Sequence, residues 1–189
     1  MALIKKIFLA IYDEFTGIFL NFVTYYPDTR LGLKMRKLYY KSKFKQCGSN
    51  LNLMKGFRAS CPEKIVVGER FSCNNFTYLN CGSCNGIYFG NNVALGPNVY
   101  IRTANHNYNN KNLDVRDQGY QEKKISYKGN IYSVVFEGNN WVGANVIILP
   151  GTHVKQGAII GAGTVVSGKI KENGVYVQNP PILAFNRSD

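Results

Sequence analysis

From Phe136 onward every sixth residue is large and apolar: Phe136, Val142, Ile148, Val154, Ile160 and Val166, with mostly small or polar residues between them. A helix needs a period of 3.6 and a simple strand a period of 2, so neither explains this spacing. A period of six marks a β-solenoid, in which one residue of each short strand points to the axis, and three such strands close a triangular coil of about 18 residues. The same phase is readable upstream, with breaks, as Cys47, Leu53 and Ala59, then Val67, Cys73 and Leu79, then Phe89, Leu95 and Ile101. The excesses between these sets read as bulged corners carrying Pro62 and the glycines of 82–86. Gly or Asn recurs at the other corners (Gly68, Gly90, Asn92, Asn98, Asn139, Asn145, Gly163), as tight turns with positive φ require.

The composition is that of a folded domain with an appendage: 189 residues, 45% hydrophobic, too apolar for a disordered chain. No uninterrupted apolar run reaches the ~18 residues of a membrane span. Lys5 and Lys6 before Ile7–Tyr12 imitate the start of a signal peptide, but Asp13 and Glu14 interrupt it and no small-residue cleavage site follows. Five cysteines (Cys47, Cys61, Cys73, Cys81, Cys84) form no disulfide framework, and Cys81–Cys84 is half a zinc site without its other half, so no metal is expected. The expected compartment is the cytoplasm, with a peripheral position on the inner face of the cytoplasmic membrane.

That position is suggested by the N-terminus. Ile4, Ile7, Phe8, Ile11, Phe15, Ile18, Phe19 and Phe22 fall on one face of a helix spanning 2–23, with Lys6, Asp13, Gly17 and Asn21 opposite. After Pro27-Asp28-Thr29 a second helical stretch, 31–44, carries Lys34, Arg36, Lys37, Lys41 and Lys43. Such a segment packs on the solenoid end, on a partner subunit, or on an anionic membrane surface. The net charge of +12 fits an anionic partner, but the basic residues form no nucleic-acid reading motif. Three segments result: a basic amphipathic helical segment at 1–45, the β-helix at 46–178 with an inserted polar loop at 103–135, and a tail at 179–189.

Of the two histidines, His153 precedes axial Val154 and is expected on the surface. His106 lies in Thr103-Ala-Asn-His-Asn-Tyr108, where the polar loop leaves the coil, and a neutral imidazole there can act as a general base. This segment, Asp117-Gln-Gly119, Trp141-Val-Gly-Ala-Asn-Val-Ile-Ile-Leu-Pro-Gly151, Ile160-Gly-Ala-Gly-Thr-Val-Val166 and Asn179-Pro180 together resemble the hexapeptide-repeat acetyltransferases. The likeness spans about residues 45–187 and is greatest to the lipopolysaccharide, colanic acid and capsule O-acetyltransferases and their galactoside and maltose relatives.

The resemblance implies a mainly β fold, a left-handed parallel β-helix assembled as a homotrimer, with acetyl-CoA as donor. It implies His106 as catalytic base and the backbone N–H of Ala144 as oxyanion donor. Trp141, Ala144, Ala162, Gly163, Ser167, Lys169 and Arg187 match donor-binding positions. Cys73, Asn74, Asn75, Asn80, Asn105 and Tyr108 match the acceptor side, where relatives often carry Asn and Asp. Glu137 replaces the usual Gly after an axial residue, and Pro181 and Ile182 replace the arginine that often follows Asn-Pro. The expected reaction is O-acetylation of a sugar hydroxyl in a bacterial surface polysaccharide or its lipid-linked precursor. An N-acetyltransferase of a nucleotide-linked amino sugar, or a non-catalytic solenoid scaffold, are the alternatives.

Overall fold

A computed structural model describes residues 2–82 and 85–178, with the side chains of residues 2 and 3 outside the description. Beyond two N-terminal helices the chain is a coil of short parallel strands stacked into three faces. The first face stacks Gln46–Cys47, Ile65–Val67, the start of Gly86–Leu95, the middle of Asn130–Val142, His153–Val154 and Lys169–Ile170. The second stacks Leu51–Leu53, Phe71–Cys73, the ends of the same two long strands, Ile159–Ile160 and Val175–Tyr176. The third stacks Arg58–Ala59, Tyr78–Asn80, Tyr100–Arg102, Ile147–Ile148 and Val165–Val166.

The repeat has a simple physical origin. An axial residue is followed by two corner residues, and the third then adopts a left-handed backbone. At the corner between the first and second faces these are Arg70, Asn92, Asn139, Gly157 and Asn173; at the next corner they are Gly56, Phe76, Asn98, Asn145 and Gly163. Left-handed φ is costly for residues with a Cβ, by roughly 1–2 kcal/mol, and Gly and Asn tolerate it best. Arg70 and Phe76 are the exceptions.

The axial residues fill the interior. Leu53, Cys73, Leu79, Phe89, Ile101, Phe136, Val142, Ile148, Val154 and Ile160 are fully buried, and rings at Phe71, Phe89 and Phe136 stack up the axis with centroids 4.7 and 5.2 Å apart. Cys47 and Ala59, in the first coil, are only half-buried. The phase continues past Val166 to Ile170 and Tyr176, because a tight turn at Gly168 shortens that coil: His153 pairs with Lys169 and Ile159 with Val175.

The period-breaking stretch is not one loop. Ala104–His106 pairs antiparallel with Tyr120–Glu122, and Ile125–Tyr127 pairs antiparallel with Asn130–Tyr132, after which Ser133, Val134 and Val135 are buried in the coil. The second hairpin folds over the outside of the first face, where Tyr132, Val135 and Val66 form a small second core with Tyr88 and Tyr127 at its rim. His153 is therefore not the open surface residue the pattern suggests. It lies edge-on to Tyr127, with its Nε2 2.8 Å from Glu137 Oε1.

Helix α1 spans Ala2–Tyr25 and α2 spans Arg30–Lys41, the latter capped by Thr29, whose Oγ1 accepts the Gly32 N–H. The joint between them is a buried Arg36. Its guanidinium donates to the carbonyls of Leu53 (2.8 Å), Tyr26 (2.7 Å) and Val23 (3.4 Å), and ion-pairs with Asp28. Asp28 also accepts the Lys55 N–H and the Asn75 amide, so the end of α1, α2 and the first two coils meet at one charge pair. Beyond this joint α1 leaves the body of the protein: residues 4–19 are all exposed, with Phe8 and Phe15 at 70%. Although no apolar run is unbroken, the helix over Ile4–Tyr25 has a mean hydropathy of 1.4 and is long and apolar enough to cross a membrane by length and composition.

Candidate functional site

His106 projects with its strand from the end of the third face, and its partner strand brings Tyr120 against it, ring centroids 4.6 Å apart. The hairpin is set by Gln118, whose side chain bonds the backbone of Asn110 and Leu113, and by Asn107, whose amide donates to the Gln118 carbonyl. His106 Nδ1 is buried with no hydrogen-bond partner among the described residues. Beside it, a cavity of about 130 Å³ is lined by Asn80, Gly82, Arg102, Ala104 and Tyr120. Tyr120 thus stands against the imidazole and Arg102 lines the adjoining cavity, although no spacing argument marked either. The one signal for Arg102 was its place directly after axial Ile101.

Trp141 lies elsewhere, on the outer side of the second face and 56% exposed. It borders a cavity of about 290 Å³ with Asn52, Met54, Ser72, Asn74 and Gly96. Around the corner from Trp141 the coils stack so closely that only small residues fit. A Cβ on Gly143 would sit 2.5 Å from the Ala162 nitrogen, and one on Gly96 would sit 2.8 Å from the Ala144 nitrogen. The result is a smooth ledge through Ala144, Ala162 and Gly163. No hydrogen bond is made by the Ala144 N–H among the described residues, whereas the Ala144 carbonyl accepts from Gly163. An unengaged N–H on a ledge can meet an oxyanion.

The expected residues divide into three groups. His106, Asn105, Asn80 and Tyr108 gather at the outer end of the third face, with Tyr108 70% exposed and Asn80 donating to Tyr100 Oη at 2.9 Å. Trp141, Asn74, Ala144, Ala162 and Gly163 share the second face and its following corner. Ser167 and Lys169 are exposed one corner further on, Lys169 in the first face beside His153. Neither cavity contains both His106 and Trp141.

One acceptor position is corrected. The Cys73 side chain is fully buried on the axis, where burial pushes its thiol well above the usual range, so it cannot touch an acceptor. The Asn75 amide is engaged by Asp28 and the Lys55 carbonyl and holds the α1–α2 joint to the coil. Arg187, Cys84 and the tail at 179–189 lie outside the described residues. Among the described residues no three His, Cys, Asp or Glu side chains gather in one place.

No protein-family model matches the sequence. The chain is 34% identical over 149 residues to a galactoside O-acetyltransferase of Lactococcus lactis, covering 79% of this chain and 66% of that protein, so it spans just under two thirds of that relative's length. Its fold matches a maltose O-acetyltransferase from Clostridium difficile 630 with a TM-score of 0.68 at 27% identity, covering 88% of this chain and 81% of that one. A galactoside acetyltransferase in complex with coenzyme A has the same fold, with a TM-score of 0.67 at 23% identity over 87% of this chain and 75% of that one.

Proposed function

We propose that the chain is a hexapeptide-repeat acetyltransferase that transfers an acetyl group from acetyl-CoA to a sugar hydroxyl of a bacterial surface polysaccharide or its lipid-linked precursor. The observation that carries the reading is His106 on a hairpin leaving the coil, in a chain 34% identical to a galactoside O-acetyltransferase. A sugar hydroxyl is a weak nucleophile at neutral pH, and a positioned base contributes typically ~10²–10⁴-fold. His106 takes the hydroxyl proton as the oxygen attacks the thioester carbonyl. The oxyanion that develops is met by the Ala144 N–H. The carbon–sulfur bond then breaks, the acetyl ester remains on the sugar, and the thiolate receives the proton from the imidazolium.

The coil is read as left-handed and the protein as a homotrimer. In support, the base and the donor ledge of one chain lie on different edges of the coil, and neither cavity holds both His106 and Trp141. A neighbouring copy that lays its Trp141 and Ala144 against His106 completes one site. In this arrangement Ser167 and Lys169, around the corner from Ala162, serve the donor from the second chain.

The 1–45 segment is read as resting on the anionic inner face of the cytoplasmic membrane. Eleven large apolar side chains of α1, from Ile4 to Tyr25, are exposed. On α2 the exposed Leu31 and Leu38 share a face with Lys34 and Lys41, an arrangement suited to headgroups. Flotation with anionic vesicles tests this, with binding expected for the native chain and lost in Phe8→Asp/Phe15→Asp.

The reaction is tested by incubating the full chain with labelled acetyl-CoA and fractionated surface glycans and mapping the label. A base-labile ester is expected, together with a drop of ~10²-fold or more in His106→Ala. A base-stable amide would instead identify an amino-sugar N-acetyltransferase, and no transfer to any fraction would leave a scaffold.

A further inference from the structure

The cavity beside Trp141 does not end at Asn52 and Ser72. Those two residues also line a second cavity, about 400 Å³, whose remaining polar walls are Asn50, Lys37 and Arg70. The two form one groove along the outer side of the second face. In register, Ser72 neighbours Ala94 and Ala94 neighbours Trp141, so the wall the two cavities share lies two strand spacings, about 10 Å, from the Trp141 backbone, with the basic end beyond it.

Three features of the basic end point to an anionic ligand. Lys37 and Arg70 converge on one cavity from different elements, and no ion pair or hydrogen bond engages either side chain among the described residues. The adjacent carboxylate, Glu69, is taken up by Ser49 and by the Asn50 N–H. Arg70 also has φ +57°, at a corner where the four later coils use Asn92, Asn139, Gly157 and Asn173. The chain holds a long cationic side chain in a conformation that Asn or Gly adopts at lower cost, and backbone strain kept at a groove is a pointer to function.

We propose that Lys37 and Arg70 form a subsite for a phosphate or pyrophosphate group carried by the acceptor sugar. This rests on the acetyl-transfer reading for the identity of the acceptor. The donor ledge runs from Trp141 through Ala144 to Ala162, toward the later coils, so a donor approaching along it leaves the opposite, N-terminal end of the groove to the acceptor. The anion sits between Lys37 and Arg70, the sugar lies over Asn52, Ser72 and Asn74, and a hydroxyl reaches the transfer point. Asn and Ser side chains are the hydrogen-bonding partners a sugar ring needs. Lys37 belongs to α2, so a lipid-linked diphosphate would enter from the side that carries Leu31, Lys34, Leu38 and Lys41.

The test is calorimetric titration of inorganic pyrophosphate into the full-length protein at physiological salt, with and without saturating coenzyme A. The variants are Arg70→Asn and Lys37→Gln; Asn suits the left-handed corner, so Arg70→Asn removes the charge without threatening the fold. Pyrophosphate should bind equally well with coenzyme A present, and each variant should weaken it about tenfold or more. Equal affinity in the native chain and Arg70→Asn, or displacement of pyrophosphate by coenzyme A, would overturn the subsite. Acetyl transfer is then compared for one hexose as a neutral glycoside, as a nucleotide diphosphate and as a lipid diphosphate in micelles. Arg70→Asn should lower the ratio of kcat/KM for phosphate-bearing to neutral acceptor about tenfold, and the better of the two diphosphates identifies the source. If the neutral glycoside is acetylated and that ratio does not move, the subsite fails while acetyl transfer stands. If no acceptor is acetylated but pyrophosphate binds through Arg70, the anion site stands and the acetyl-transfer reading fails.

Discussion

A shared site has a quantitative consequence. Suppose each centre takes His106 from one copy and Trp141 from the next around a cyclic trimer. His106→Ala then damages every centre of its own assembly, and Trp141→Ala, assayed far below saturation with acetyl-CoA, weakens every donor groove. Mixed assemblies behave differently. At equal proportions, a given centre receives an intact His106 with probability one half and an intact Trp141 with probability one half. These are independent because the residues come from different chains, so about a quarter of centres are fully native. Had both residues come from the same chain, no centre would contain both. The assay is co-expression of the two variants with distinguishable tags, purification through both tags, and measurement of acetyl transfer per centre. Recovery to about a quarter of native activity is expected, somewhat more after double-tag selection of mixed assemblies. Activity no higher than the mean of the two parent variants, in mixed assemblies shown to be trimers, would refute the placement of His106 and Trp141 in one shared centre.

Further outcomes follow from the packing. Arg36→Met should cost about 3 kcal/mol in denaturant unfolding of the N-terminal unit, since it strands a carboxylate that is 24% exposed and removes a donor from three carbonyls. Adding Asp28→Asn should restore part of that loss, which a double-mutant cycle reads directly. Asn145→Ala should destabilise by about 1 kcal/mol and Asn145→Gly by less, measured by chemical denaturation, because φ is +57° there. Glu137 is pushed up by burial, but bonds from Lys155 and His153 outweigh this and hold it below the ordinary carboxylate value of 4.5. With the folded value depressed, its contribution is present at pH 7 and is lost as pH falls from about 4.5 through the folded value. Glu137→Gln should therefore lower stability at pH 7 and make little difference in strong acid, as thermal melts across pH would register.

The coil was legible because each short strand has one axial residue and each corner has one left-handed residue, so two independent signals share the period of six. Gly and Asn mark the second signal at Asn98, Asn145 and Gly163, and Phe136 to Val166 mark the first. The hairpin over the first face was not legible. Ile125–Tyr127 folds back through a turn at Lys128 and Gly129, and its contacts to Tyr88 and Val66 join residues far apart in sequence that no local period relates. His153 was misread for that reason alone, since its alternation was right and the cover came from elsewhere. Cys73 shows the reverse error. Its axial phase was read correctly, and an acceptor role taken from a resembling position conflicted with that phase. Burial decides such conflicts, because a side chain on the axis cannot also face a substrate.

The direction of α1 links these features. A rigid joint is needed if a helix with so much exposed apolar surface is to hold a fixed attitude to the coil, and Arg36 supplies it by tying the last turn of α1, Asp28 and Leu53 together. The helix is long and apolar enough to cross a membrane, but its charges argue for a different depth. Asp13 and Glu14 sit at its middle, where a spanning position would put both at the bilayer centre at about 2.5–3.5 kcal/mol for the aspartate alone. The proposed interfacial position would keep Asp13 on the water side and Glu14 at the headgroup boundary, and so lowers that cost. With 3.6 residues per turn, Ile4, Phe8, Ile11, Phe15, Ile18 and Phe22 share one face, Lys6, Asp13 and Asn21 lie opposite, and Glu14 falls at the edge of the apolar stripe beside Ile11, Phe15 and Ile18. In the proposed interfacial position, α2 and with it Lys37 and the basic end of the groove would lie near the headgroup level. A diphosphate anchored in the same leaflet would meet Lys37 and Arg70 there, with its sugar directed along the second face toward Trp141.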